Sequence, residues 1–252
     1  MPTRATVSAI IQARMGSTRL PGKVLMEVNG QTVLSHVVER VRRASLVQFA
    51  VIATTTSAAD DPLVSECRRI DVPCFRGSEH DVLDRYLQTA RHFGCEAVLR
   101  ITSDCPLIDP ELIDDLVGAF AERRPDFACN VAPRTYPRGL DAEIFTAEAL
   151  QRAWQLADAP HQREHVTPIF YERRDLFDVI SVCGDRDYSS YRWTLDTPDD
   201  LRLIRAIYRH FAHVGEFGWR DVIALMEQQP ELKQMNANVI QESLPSVSPS
   251  YA

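Results

Sequence analysis

No pair among the six cysteines (Cys67, Cys74, Cys95, Cys105, Cys129 and Cys183) approaches a CxxC spacing, and no Cys/His set has the spacing of a zinc site. A reduced, cytoplasmic compartment fits that usage. No apolar run nears the ~18 residues of a membrane span, and the run 7–11 is too short for a secretory signal because Gln12 and Arg14 interrupt it. Positive charge is scarce too. With 28 Lys and Arg against 35 Asp and Glu, the net charge of −7 repels phosphate backbones and anionic lipid, so neither nucleic acid nor membrane is an expected partner. The chain also lacks internal repeats, heptad runs and a G-x-G-x-x-G. Any anionic ligand must be held by a local cluster of cations.

What is present is enough apolar material, 45% of 252 residues, for one core without metal or disulfide staples. Short apolar runs alternate with amphipathic segments. Strands are expected at 7–12, 49–54, 72–75 and 97–102, and helices at 32–44, 61–69, 81–93 and 110–123, the last with Asp109 as cap and Pro110 at its first position. This rhythm predicts an α/β protein whose mainly parallel sheet is covered on both faces, with ligands outside the carboxyl ends of the strands. Beyond Phe127 the rhythm breaks. Strands are expected at 140–145, 177–183 and 191–195 and helices at 147–157, 162–172, 198–212 and 218–229, so that the sheet becomes mixed. One domain over 1–229 is expected, then a polar tail over 230–252 whose Ser/Pro-rich end predicts disorder.

The strongest chemical signal follows the first strand. The run Gln12-Ala13-Arg14-Met15-Gly16-Ser17-Thr18-Arg19-Leu20-Pro21-Gly22-Lys23 gathers three cations, two glycines and two hydroxyls in an acidic protein. A loop that wraps a polyphosphate needs glycines to bring backbone N–H groups close, cations to offset charge and hydroxyls as further donors. It is not a Walker A loop, because five residues separate Gly16 from Gly22 where that motif has four, and Val24 replaces the metal-binding Ser or Thr.

This loop, with Ile10 and Ile11 before it, resembles the signature of the cytidylyltransferases that make CMP-activated acidic sugars, such as the CMP-3-deoxy-manno-octulosonate and CMP-sialate synthetases. Three further stretches resemble the branch of the spore-coat polysaccharide biosynthesis protein F: Gly77-Ser78-Glu79-His80-Asp81-Val82-Leu83-Asp84-Arg85-Tyr86, Tyr136-Pro137-Arg138-Gly139-Leu140-Asp141-Ala142-Glu143 and Arg163-Glu164-His165-Val166-Thr167-Pro168. The resemblance runs from Val7 to Phe211.

Two carboxylates stand at expected strand ends. Asp104 follows 97–102 in Ser-Asp-Cys-Pro, and Asp196 follows 191–195 in Leu-Asp-Thr-Pro-Asp-Asp. Such a pair beside a triphosphate loop suits Mg²⁺, which takes one or two carboxylates and completes its octahedron with water and substrate phosphates. The resemblance matches Asp104 to the family's Asp-x-Pro metal ligand and Asp196 to the first acid of its Asp-Thr-Pro-x-Asp, with Ser103 where the family has Gly. Asp109 reads as a helix cap, and Thr197, Pro198 and Asp200 as a capping box.

On the other side, Arg138, Asp141 and Glu143 fall on an expected strand edge, where alternation puts the two acids on one face. That pair reads equally as a sugar-positioning site and as a solvated face. The resemblance makes Arg163 and His165 candidates for holding an acidic or phosphorylated acceptor beside them, and places Gly77, Ser78 and Arg85 at the nucleoside. Cys105 and the tryptophans read as core.

The resemblance therefore implies a three-layer α/β/α fold of the nucleotide-diphospho-sugar transferase (GT-A-like) type. It implies a Mg²⁺-dependent cytidylyltransferase that joins CMP from CTP to an anionic acceptor for surface polysaccharide, releasing pyrophosphate. Ala13, Arg14, Gly16, Ser17, Arg19 and Lys23 would hold the nucleotide, and Arg14, Lys23 and Asp104 would be catalytic. A homodimer is suggested by resemblance alone. Two rival readings stay open. A glycosyltransferase would centre its metal on a D-x-D, here only Asp185-Arg186-Asp187 in an expected loop, and a non-catalytic nucleotide-binding module could dispense with one of the carboxylates.

Overall fold

A computed structural model describes residues 6–240. In chain order the strands are β1 (Val7–Gln12), β2 (Glu27–Val28), β3 (Gln31–Thr32), β4 (Phe49–Thr55), β5 (Cys74–Gly77), β6 (Ala97–Thr102), β7 (Phe127–Cys129), β8 (Glu143–Thr146) and β9 (Val179–Ser181). The helices are α1 (Val33–Arg43), α2 (Asp61–Arg69), α3 (Val82–Phe93), α4 (Pro110–Arg123), α5 (Ala147–Leu156), α6 (Pro160–His165), α7 (Pro168–Glu172), α8 (Pro198–His210), α9 (Trp219–Gln228) and α10 (Glu231–Gln234).

Seven strands form one sheet in the order β5-β4-β1-β6-β8-β7-β9. The first four are parallel, β8 runs antiparallel to both β6 and β7, and β9 is parallel to β7. Successive strand residues point to opposite faces, and the core divides accordingly. Ile11, Ile52 and Leu99 pack against α1, α2 and α4, while Ile10, Val51 and Val98 pack against α3, α5 and α7. A third cluster, around Trp193, joins α8 and α9 to Leu20, to Val28 of β2 and to Leu140. The result is three layers.

Local chemistry sets most helix ends. Asp81 accepts from the N–H of Asp84 (2.8 Å) and Asp109 from that of Glu111 (3.0 Å), while α3 stops at Gly94, whose φ of 64° suits glycine.

Several expectations change. The basic loop does not run straight into α1, because the hairpin β2–β3 intervenes, turned by Asn29 and Gly30, both with positive φ. The expected helix 162–172 is two. It breaks at Val166 (φ 72°, ψ −54°), where the N–H of Thr167 reaches the carbonyl of His165 (2.8 Å) in a γ-turn. The expected strand 140–145 begins only at Glu143, and 191–195 is extended but joined to Arg138 by a lone bridge. Strand β7, unmarked by any alternation, lies between β8 and β9.

The polar segment from 230 packs on the preceding structure at Leu232 and Asn236. Leu232 is buried, and Asn236 donates to the Arg192 carbonyl and to Asp200, both at 2.9 Å. The disorder expected for 241–252 lies outside the described residues. No helix among the described residues is long and apolar enough to cross a membrane.

Because β1 is followed in the sheet by β4 on one side and β6 on the other, the connections diverge there. The crevice outside the carboxyl ends of β1 and β6 is the place where such sheets bind ligands.

Candidate active site

The basic loop leaves β1 at that crevice. Its base is the backbone of Met15, whose carbonyl accepts from Ser17 (2.9 Å) and Gly22 (3.1 Å) and whose N–H donates to Asp60 (2.7 Å). Asp60 is 2% exposed and also accepts from the Thr54 hydroxyl, the Thr55 hydroxyl and the Thr55 N–H, so it pins the loop to the end of β4. Burial would raise its pKa, but the Met15, Thr55 and Thr54 donors overcome this and hold the carboxyl below its usual value.

Above this base the loop is open. Arg14, Gly16, Thr18 and Arg19 are exposed, and their backbone N–H groups have no partner among the described residues. Arg14 has no ion pair there either. Donors and a cation facing solvent at a strand end are what an anion can use. Ala13 is different. It is buried with its N–H on Ala53, so it offers the site no side chain, and Ser17 spends its hydroxyl on the Leu20 N–H (3.3 Å).

The loop closes at Gly22 (φ 70°), and Lys23 opens a single turn that aims its side chain into the crevice. There the ammonium lies 2.8 Å from Asp104 Oδ2 and 2.8 Å from Asp196 Oδ1. Burial alone would lower the Lys23 pKa, but the two carboxylates more than reverse this and raise it above the ordinary lysine value. Asp104 shows the converse. Burial pushes its pKa up, and Lys23 with the Thr102 hydroxyl (2.6 Å) pulls it below the usual range.

Asp196 is held by two arginines besides, Arg192 at 2.8 Å and Arg19 at 3.3 Å. Arg192 also pairs with Asp200 (3.0 Å), which is 0% exposed and closes the expected capping box on Thr197. The extended segment 193–196 is fixed to the β6 side by the Leu195 N–H on the Asp104 carbonyl (2.8 Å). Its other flank packs on Gly139, where a Cβ would lie 2.5 Å from the Trp193 carbonyl carbon, so only glycine fits. Ser103 needs no glycine, since its φ is not positive.

Asp104 Oδ2 and Asp196 Oδ1 thus converge on one point. Two hard oxygen donors suit Mg²⁺, and because no group of three or more His, Cys, Asp or Glu suited to a metal exists among the described residues, its remaining positions would fall to water and phosphate.

The expected nucleoside group lies at the end of β5. The Ser78 hydroxyl accepts from the Asp81 N–H (3.0 Å), and the Ser78 carbonyl from Arg85 Nη1 (2.5 Å). Arg85 is 2% exposed with its stem against Gly77, so it tethers this turn from beneath rather than lining an open pocket. Burial lowers its pKa.

The expected acceptor residues separate. Asp141 takes both guanidinium nitrogens of Arg134 (2.6 and 2.9 Å), whereas Glu143 on β8 is buried with Arg100 (2.5 Å) and the Tyr171 hydroxyl (2.9 Å). They do not form a shared solvated pair. Arg138 is half-buried, with no side-chain partner among the described residues, and its pKa is lowered by burial and by Arg134 against the pull of Asp141.

Arg163 is engaged within the fold. Its three nitrogens donate to the Ala157 carbonyl, Asp81 and the Trp154 carbonyl, tying α6 to α5 and α3. His165, half-buried and lowered in pKa by burial, precedes the γ-turn at Val166. Cys105 is buried and its thiol is pushed well up by burial, as packing requires. Asp185 and Asp187 are exposed in a loop, where Asp187 caps the Ser189 N–H (2.8 Å).

An open cationic loop and a dicarboxylate at the divergence point of a three-layer mixed sheet define a protein of the nucleotidyltransferase type. A cytidylyltransferase family model matches residues 8–244, and the chain belongs to that family. An uncharacterized protein of Methanocaldococcus jannaschii is 35% identical over 240 residues, 94% of this chain and 97% of that protein. The spore coat polysaccharide biosynthesis protein of Bacillus subtilis is 33% identical over 231 residues, 88% of this chain and 94% of that one. A solved cytidylyltransferase from Leptospira borgpetersenii, 33% identical, superposes with a TM-score of 0.88 over 95% of this chain and 100% of its own.

Proposed function

We propose that the protein transfers CMP from CTP to an anionic sugar acid or phosphorylated acceptor, releasing pyrophosphate, in the making of a surface polysaccharide or glycoconjugate. The observation that carries this reading is the convergence of Lys23, Asp104 and Asp196 beside an open cationic loop. The relatedness to a spore coat polysaccharide biosynthesis protein supports the pathway class.

In this reading an acceptor oxygen attacks the α-phosphorus in line, one P–O bond forms, the bond to the bridging oxygen breaks, and pyrophosphate leaves. Such transfer is mostly positioning and charge neutralisation. Arg14, Arg19, Lys23 and the free N–H groups of the loop hold the triphosphate. A magnesium ion held by Asp104 and Asp196 would supply further neutralisation of phosphate charge. Arg138, unpaired beside Asp141, takes the acceptor's carboxylate or phosphate, the pairing a guanidinium makes best. Asp141, Glu143 and His165 shape that side of the crevice, and Gly77 and Ser78 border the nucleoside.

The test is pyrophosphate release with CTP, UTP, GTP and ATP against sugar acids and phosphorylated polyols, with and without Mg²⁺. CTP-selective, Mg²⁺-dependent release with an acidic acceptor is expected. Preference for another nucleotide, or release only with neutral acceptors, contradicts the reading.

A further inference from the structure

We infer that Lys23 closes the dicarboxylate to divalent cations in the free protein, and that the nucleotide opens it by drawing the ammonium away. The inference rests on the reading of Asp104 and Asp196 as metal ligands.

The Lys23 ammonium stands where a cation shared by the two acids would stand, 2.8 Å from an oxygen of each. Its side chain is only 11% exposed, so water screens it little. A divalent ion brought to the same oxygens meets twice the repulsion that a monovalent one would.

Neighbouring charge adds to this. Asp196 is already shared among Lys23, Arg19 and Arg192, and the second oxygen of Asp104 takes the Thr102 hydroxyl. With no suitable third ligand among the described residues, a metal without nucleotide would rely on two acids that are already compensated.

A triphosphate changes the balance. It arrives at Arg14 and the unpartnered N–H groups of the loop, carries more negative charge than the two acids, and brings oxygen ligands of its own. Lys23 is the group free to make the exchange, a flexible stem with three rotatable donors next to Gly22. Metal and nucleotide are then coupled, and reciprocally so.

The experiment is Mn²⁺ titration of the full chain, followed by electron paramagnetic resonance. It compares wild type, Lys23→Met, Asp104→Asn and the Lys23→Met/Asp104→Asn double variant, each with and without the α,β-methylene analogue of CTP. Wild type alone is expected to bind Mn²⁺ at least about tenfold more weakly than Lys23→Met alone. The analogue should raise wild-type affinity by a factor that equals the rise in analogue affinity on adding Mn²⁺.

Tight binding by nucleotide-free wild type, equal to that of Lys23→Met and lost in Asp104→Asn, overturns the inference while leaving the metal ligands in place. Should no protein bind Mn²⁺ better than Asp104→Asn in any condition, the ligand assignment itself falls and the inference with it. If Lys23→Met does not fold, the wild-type comparison with and without analogue decides, and equal affinities overturn the inference.

Discussion

The two ends of the sheet are held by different means. From β1 to α4, apolar residues alternate between two faces and helices begin and end on local caps, so the strand-end loops need few charges for their own support. From β7 onward, charged side chains do much of the holding. Arg134 grips Asp141, Arg100 grips Glu143, and Arg192 grips Asp196 and Asp200. A region braced by an apolar core can leave cations open to a ligand, as Arg14 is, whereas a region braced by its own ion pairs has consumed most of them. Arg138, half-buried beside Asp141 and without an ion pair among the described residues, is left open in that region, which is why it carries the acceptor assignment.

The largest effect that would sharpen this comparison is on chemistry. Asp104→Asn should lower kcat for pyrophosphate release by about 10²- to 10³-fold, the cost of losing one preorganised electrostatic group, with little change in fold by circular dichroism. Next is stability on the charge-braced side. Arg192→Met leaves Asp200 buried without its guanidinium, and breaking such a pair costs about 3–5 kcal/mol in urea unfolding. Asp200 at 0% exposure makes the upper end the expectation. Arg14→Ala removes an exposed, unpaired cation, so stability should hold. CTP affinity should fall about ten- to hundredfold, the worth of a charged hydrogen bond of about 1.5–3 kcal/mol.

A pH series sharpens the same contrast. Asp60, Asp104 and Asp141 lie below the usual carboxyl value of 3.8, so their contribution is complete above that value and is lost as pH falls through their depressed values. Lys23 lies above 10.5, so its contribution is complete below that and lost as pH rises past it. Asp141→Asn should flatten the acid limb of stability below about pH 4. The smallest effect expected is at Arg163. Arg163→Met should cost about 1–2 kcal/mol of stability through lost hydrogen bonds and leave kcat/KM unchanged, whereas a loss of acceptor affinity would return this residue to the site.

The same contrast explains what the residues disclosed in advance. Helices α2 and α4 and strands β1 and β6 stand where periodicity and caps put them. In the second part the organising contacts are long-range or irregular. Nothing near Val166 announces a γ-turn, and the extended segment 191–195 joins no strand ladder, making a single β-bridge to Arg138 among the described residues. At the site, Arg14, Lys23, Asp104 and Asp196 were legible as charges at strand ends, and the convergence of Lys23, Asp104 and Asp196 is what the fold adds.

Asp60 was hidden because it reads as the start of a helix, and its partner Met15 is 45 positions away. Arg192 left a usable trace, an arginine four residues before Asp196 and eight before Asp200. Arg85 and Arg163 share a feature that a motif does not disclose: each donates to a backbone carbonyl within the fold, Arg85 to Ser78 and Arg163 to Trp154.

The division of labour across the sheet is tested most directly by calorimetric titration of CTP, without acceptor, into Arg14→Ala and Arg138→Ala. Weakened CTP binding in the first and wild-type binding in the second is the predicted result. Equal weakening in both would contradict it, because the triphosphate would then reach across to the side assigned to the acceptor.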